Sequence, residues 1–200
     1  MPSGLFRPRS GPGLVGLAGP AHTPSVPSDN EILTRLFEHN RWANGDMLAA
    51  CRELTPEQLE AETPGTYGRL SHTLIHLARA QGGYLRTLAN WQPGPEHRLE
   101  YDEPFPGVER ITAHLAFTGQ RLIRVARGIS PGHVLSGTDD EGPWSLPAWV
   151  VLLQAAYHAT EHRQQVATAL TGLGVEPPEP DLWTYWEAIK GNWQPPADDA

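Results

Sequence analysis

From Ser28 onward, apolar side chains recur every three or four residues in long blocks, and few other patterns compete. In the first block Leu33, Leu36, Phe37, Asn40, Asn44, Met47 and Cys51 share one face, and Ser28 with Glu31 forms a capping box at its start. Thr55-Pro56-Glu57-Gln58 repeats that start signal, with proline at the first helical position, and predicts a short helical turn. A second long helix is predicted over about Leu70–Asn90, with Leu70, Leu74, Leu77, Tyr84, Leu85 and Leu88 as its stripe. A third runs over about Gly107–Ile129, where Val108, Ile111, Leu115, Thr118, Leu122, Val125 and Ile129 give the seam of an antiparallel bundle.

The fourth helix, about Leu146–Leu173, stops at Gly174 with Pro177 and Pro178 beyond it. A last short helix starts at Asp181 and ends near Gly191, and its Leu182, Trp183, Tyr185 and Trp186 are expected to cover one end of the bundle. Pro93–Pro106 and Ser130–Ser145 read as loops, and no segment alternates apolar and polar residues over strand length. The expectation is an all-α, four-helix bundle over residues 29–191, with a short C-terminal helix and a flexible end at 192–200.

Residues 1–28 differ. They hold eleven Gly and Pro, two Arg and no acid, and their apolar piece is broken by glycines. That composition suits a disordered tail better than a secretory signal or an amphipathic transit peptide. A length of 200 residues fits one domain, and 39% hydrophobic with 19% charged residues is ordinary globular composition. The net charge of −8, without a basic run, argues against nonspecific nucleic-acid binding, and no apolar stretch approaches the roughly 20 residues of a membrane span. Cys51 is the single cysteine, so neither an intrachain disulfide nor a thiolate cluster is available and a cytoplasmic setting is expected.

Candidate chemistry lies in Tyr157-His158-Ala159-Thr160-Glu161-His162-Arg163-Gln164-Gln165. His158 and His162 are four apart and project from the same helix face, one turn above the other, within reach of a single ion. A second such pair, His72 and His76, lies in the second helix beside the small residues Thr73, Ala80, Gly83 and Thr87. Spacing alone leaves two readings open, a metal site or histidines that are exposed or hydrogen-bonded in the core. Glu161 stands three residues after His158, which excludes a His-Glu-x-x-His metalloprotease. Asn40, Asn44, His72 and Gln165 are candidate neighbours of an ion's ligands, the two asparagines reading foremost as a buried hydrogen-bonded pair. Trp42, Trp149 and Tyr157 read as core, His39, His97, His114 and His133 have no spacing that singles them out, and His22 lies in the tail.

Taken in order, Phe37-Glu38-His39-Asn40-Arg41-Trp42-Ala43-Asn44, Leu74-Ile75-His76-Leu77, His158-x-x-x-His162-Arg163-x-Gln165, Leu173-Gly174, Pro177-Pro178 and Asp181-Leu182-Trp183 resemble the DinB/YfiT-like superfamily of four-helix-bundle metalloproteins. The family's His-Arg-Gly-Gln reads His-Arg-Gln-Gln here, with Gln164 in the glycine's place. The resemblance implies that His76, His158 and His162 hold one divalent ion, with zinc foremost and nickel, iron, cobalt or manganese as alternatives. It also implies one of two enzyme chemistries, transfer of a low-molecular-weight thiol or water-based hydrolysis, acting on a small-molecule substrate. The alternative is a metal-binding stress-response protein without turnover. A homodimer is expected on the same grounds.

Overall fold

The computed structural model describes residues 29–193. The expectations for the tail over 1–28, for the cap at Ser28 and for 194–200 fall outside that range. Within it the order is α1 (Asp29–Cys51), α2 (Pro56–Leu59), α3 (Leu70–Ala89), α4 (Val108–Gly128), β1 (Val134–Asp139), β2 (Gly142–Pro147), α5 (Ala148–Gly172) and α6 (Leu182–Ile189). The capping box expected at Thr55 is present, its hydroxyl accepting from the Gln58 N–H while the Gln58 side chain accepts from the Thr55 N–H.

α1 packs on α4 and α5, and α3 packs on the same two, so the order around the bundle is α1–α4–α3–α5. Two apolar clusters fix the directions. One joins Met47 and Leu48 of α1, Leu74 and Leu77 of α3, Ile111 of α4 and Val166 of α5. The other joins Phe37, Leu85, Leu122 and Leu152 of the same helices. α3 and α4 therefore run parallel, as do α1 and α5, while α1 is antiparallel to α4 and α3 to α5. The antiparallel seam expected of the third long helix holds only against α1. Because α3 and α4 are parallel, the chain after α3 must travel back along the bundle before α4 begins. Residues 90–107 do this, with one 3-10 turn at Pro95–His97.

A polar layer separates the two apolar clusters. Arg163 of α5, 3% exposed, donates through Nη1 to Asn40 Oδ1 at 2.7 Å and Asn44 Oδ1 at 2.8 Å, both on α1. Asn44 Nδ2 donates to Gln81 Oε1 of α3, and Gln81 Nε2 donates to Thr118 Oγ1 and the Leu115 carbonyl of α4. All four long helices are tied at this level, with the buried groups paired as desolvation demands.

The segment read as loop over 130–145 contains an antiparallel hairpin, Leu135 opposite Leu146 and Gly137 opposite Trp144. Gly142 (φ 118°) follows its Asp140-Glu141 turn. The hairpin's apolar positions are few, Val134, Leu135, Trp144 and Leu146, and Pro143 and Pro147 hide the alternation. A Cβ at Gly137 would lie 2.4 Å from the Trp144 ring, so a side chain there would have to displace that ring. Two further expectations are corrected. Trp149 and Tyr157 are 51% and 62% exposed, because α5 turns that face away from both α1 and α3. α6 docks on the side of α1 through Tyr185, against His39 and Trp42, and leaves Leu182 and Trp183 outside. Among the described residues no helix is long and apolar enough to cross a membrane.

Candidate metal centre

α3 and α5 are neighbours and antiparallel, so one turn of α3 faces two turns of α5. That places His76 opposite His158 and His162. The three rings have centroids 5.0, 4.6 and 4.3 Å apart, and one nitrogen from each lies within 4.8 Å of the others, so the group could hold a metal ion. His76 Nε2 and His158 Nε2 are 3.1 Å apart. Two nitrogens on a tetrahedral zinc ion at the usual bond length are about 3.3 Å apart, so the residues fit such an ion with little movement.

Two of the three remaining ring nitrogens have partners. His162 Nδ1 donates to Gln165 Oε1 at 3.0 Å, leaving Nε2 with its lone pair. His76 Nδ1 meets the Tyr101 hydroxyl at 2.7 Å, and a proton on Nδ1 likewise leaves Nε2 free to ligate. Gln165 Oε1 also accepts from the Tyr67 N–H at 3.1 Å, and this bond sets the Tyr67 ring flat on His76, centroids 4.0 Å apart. Burial holds the pKa of His76 below its ordinary value, with His162 and Arg79 adding to the effect. Burial and the neighbouring His162 and His76 bring His158 down to about 4. Both rings are therefore neutral near pH 7, the state a ligand needs.

Of the other residues singled out by sequence, Gln165 reaches the site and His72 does not, standing exposed one turn away on α3. Asn40 and Asn44 are not bonded to each other. They serve Arg163, whose side chain turns from its neighbour His162 into the polar layer and donates to Thr160 as well. Burial lowers the Arg163 pKa to about 10, and the guanidinium is committed to the core, unable to meet a substrate at the histidines. Three contributors were missed in the sequence, Tyr67, Tyr101 and Arg79. The guanidinium of Arg79 lies 4.5 Å over the Tyr101 ring and also bonds Glu100 and the Leu99 carbonyl, which latches the returning connection onto α3. Tyr101 sits in a charged, aperiodic stretch, and only the length of that connection hinted at a role.

No curated protein matches the chain. A family model described as the DinB family matches residues 28–195, which takes in the whole bundle, the three histidines and α6. On that match the chain belongs to the DinB family.

Proposed function

We propose that the chain is a metal-dependent enzyme acting on small molecules, with His76, His158 and His162 holding one divalent ion, zinc foremost and nickel, iron, cobalt or manganese as alternatives. The observation that carries this reading is the convergence of three imidazoles without a fourth His, Cys, Asp or Glu in the group among the described residues. Structural zinc sites close with four protein ligands, whereas three leave a position for exchange. When bound, the ion supplies Lewis acidity to whatever occupies that position.

Transfer of a low-molecular-weight thiol is favoured over water-based hydrolysis. The groups touching the imidazoles are phenols and an amide, Tyr101, Tyr67, Tyr84 and Gln165, and none is a carboxylate suited to take a proton from water. A thiol needs less help, because its ordinary pKa of about 8.5 is already near neutral. Arg79 brings positive charge beside Tyr101, partly offset by Glu100. The stacking of Tyr67 on His76 supports a second reading, a closed metal-binding stress-response protein without turnover.

Cobalt-loaded protein titrated with low-molecular-weight thiols separates the readings. A sulfur-to-cobalt charge-transfer band that is absent in His158→Ala is the expected result. No band at millimolar thiol would sink thiol transfer. Two companion proposals are a cytoplasmic setting, in which buried Cys51 stays an inert thiol, and a homodimer through the exposed Trp149, Leu153 and Tyr157 stripe of α5. Sedimentation velocity checks the dimer, and a monomer at micromolar concentration would exclude it.

A further inference from the structure

The connection from α2 to α3, residues 60–69, is fastened at its neck and held lightly at its tip. At the neck Glu62 and Arg69 form an antiparallel bridge, the Leu70 N–H donates to the Ala61 carbonyl, and Arg69 pairs with Glu60 at 3.0 Å. Beyond the neck, residues 63–68 fold on themselves, with the Thr66 hydroxyl donating to the Thr63 and Gly68 carbonyls. None of those six residues is buried. A segment with so little buried surface opens locally at small cost.

Tyr67 stands in that tip, and its ring is the part that reaches the candidate metal centre. It lies flat on His76 and edge-on to His162, centroids 4.0 and 5.6 Å away, while remaining 46% exposed itself. A ring with one side on the imidazoles and the other in water screens those imidazoles from solvent. Among the described residues a single hydrogen bond ties the tip to α5, from the Tyr67 N–H to Gln165 Oε1, the oxygen that also holds His162 Nδ1. Gly65 (φ 81°) and Gly68 (φ 98°) bracket Tyr67, so the backbone on both sides of the ring meets few steric barriers to turning.

We propose that Tyr67 is a gate on the metal centre: its ring leaves His76 when the tip swings about the fixed neck, and an ion enters or departs only while the ring is away. The proposal rests on the three-histidine reading of the site and adds to it how that site exchanges with solvent. A gate that closes equally over the empty and the loaded site slows entry and exit alike and leaves the affinity where it was. A neighbour that merely steadies the loaded site slows exit alone and tightens binding. The two roles therefore separate in the rates.

Stopped-flow mixing of the full chain with cobalt tests the gate, the absorption of bound cobalt reporting uptake by metal-free protein and release to excess chelator. Tyr67→Ala should speed both by about five- to tenfold, the strength of one aromatic stack, with the dissociation constant within about threefold of native. Tyr67→Phe keeps the ring and should exchange at the native rate. Equal rates in native and Tyr67→Ala protein would overturn the gate and leave the metal centre standing. Faster release with affinity falling in step, or Tyr67→Phe exchanging as fast as Tyr67→Ala, would do the same. One cobalt per chain retained by His158→Ala would instead remove the centre, and the gate with it.

Discussion

Arg163 and Asn40 lie 123 residues apart in sequence and 2.7 Å apart in space, and their bond joins α5 to α1 inside the core. The guanidinium is shielded from water and has amide and hydroxyl oxygens as its hydrogen-bond acceptors. Asn40→Ala should therefore cost about 2 kcal/mol, the worth of a hydrogen bond to a buried charge. Urea unfolding should show a lower midpoint with an unchanged slope. In an Arg163→Met background the same asparagine change should cost much less, because the charge it serves is gone. A loss below about 0.5 kcal/mol in the otherwise native chain would show that the bond is incidental.

His114 predicts an acid weakness that does not involve the candidate metal centre. Burial, and next the neighbouring His97, lower its pKa to about 4, against the weaker opposing pull of the Ala78 carbonyl. An unfolded chain takes up this proton near pH 6.5 and the folded chain only near 4, so the unfolded state binds more protons in between. Stability from this group is full above pH 6.5, falls as pH drops toward 4 and is level below it, a loss of about 3 kcal/mol. His114→Gln should flatten the slope of stability against pH in that window. An unchanged slope would place the sensitivity elsewhere.

Metal content should follow the three imidazoles individually. Purified His158→Ala or His162→Ala should carry well under one ion per chain by elemental analysis, and His72→Ala should match the native chain. A triple variant lacking His76, His158 and His162 that still carries one ion would remove the assignment.

Tyr101 gives a finer test of the same centre. Its hydroxyl meets His76 Nδ1, and outer partners of this kind commonly change metal affinity by about 10- to 100-fold. Tyr101→Phe should weaken metal binding by about tenfold in a chelator competition, and the melting temperature of the metal-free protein should not move. Equal affinity in the two proteins would mean that the phenol only covers the ring.

The helices were legible in the sequence because they rest on periodicity, while the set of three histidines was reached only with the family resemblance, which singled out His76 over His72. A stripe every three or four residues reports burial, and His158 with His162 reports a shared face. Apart from Gln165, what surrounds the histidines was not legible. Tyr67 and Tyr101 reach His76 from connections without a period, placed by Gln165 and Arg79 across gaps of 98 and about 20 residues. Helix direction was hidden too, since a stripe of leucines packs as well against a parallel neighbour as an antiparallel one. The burial of Arg163 was hidden as well, and only the position of α1 reveals why a charge is buried there.

The order of helices around the bundle bears on how the chain reaches this state. α1 and α3 follow each other along the chain, as do α4 and α5, yet both pairs sit diagonally and share little contact. The one consecutive pair in contact, α3 with α4, is parallel and separated by the long returning connection. No two long helices can form a tight local hairpin, so an early helix finds its packing partner only after distant chain has been made. Loop closure must precede the reward of contact, and chains of this kind fold more slowly than helical content suggests. The halves on either side of Pro93 should each be unable to fold alone and should fold only together, the His76 half being completed by the half that carries His158 and His162.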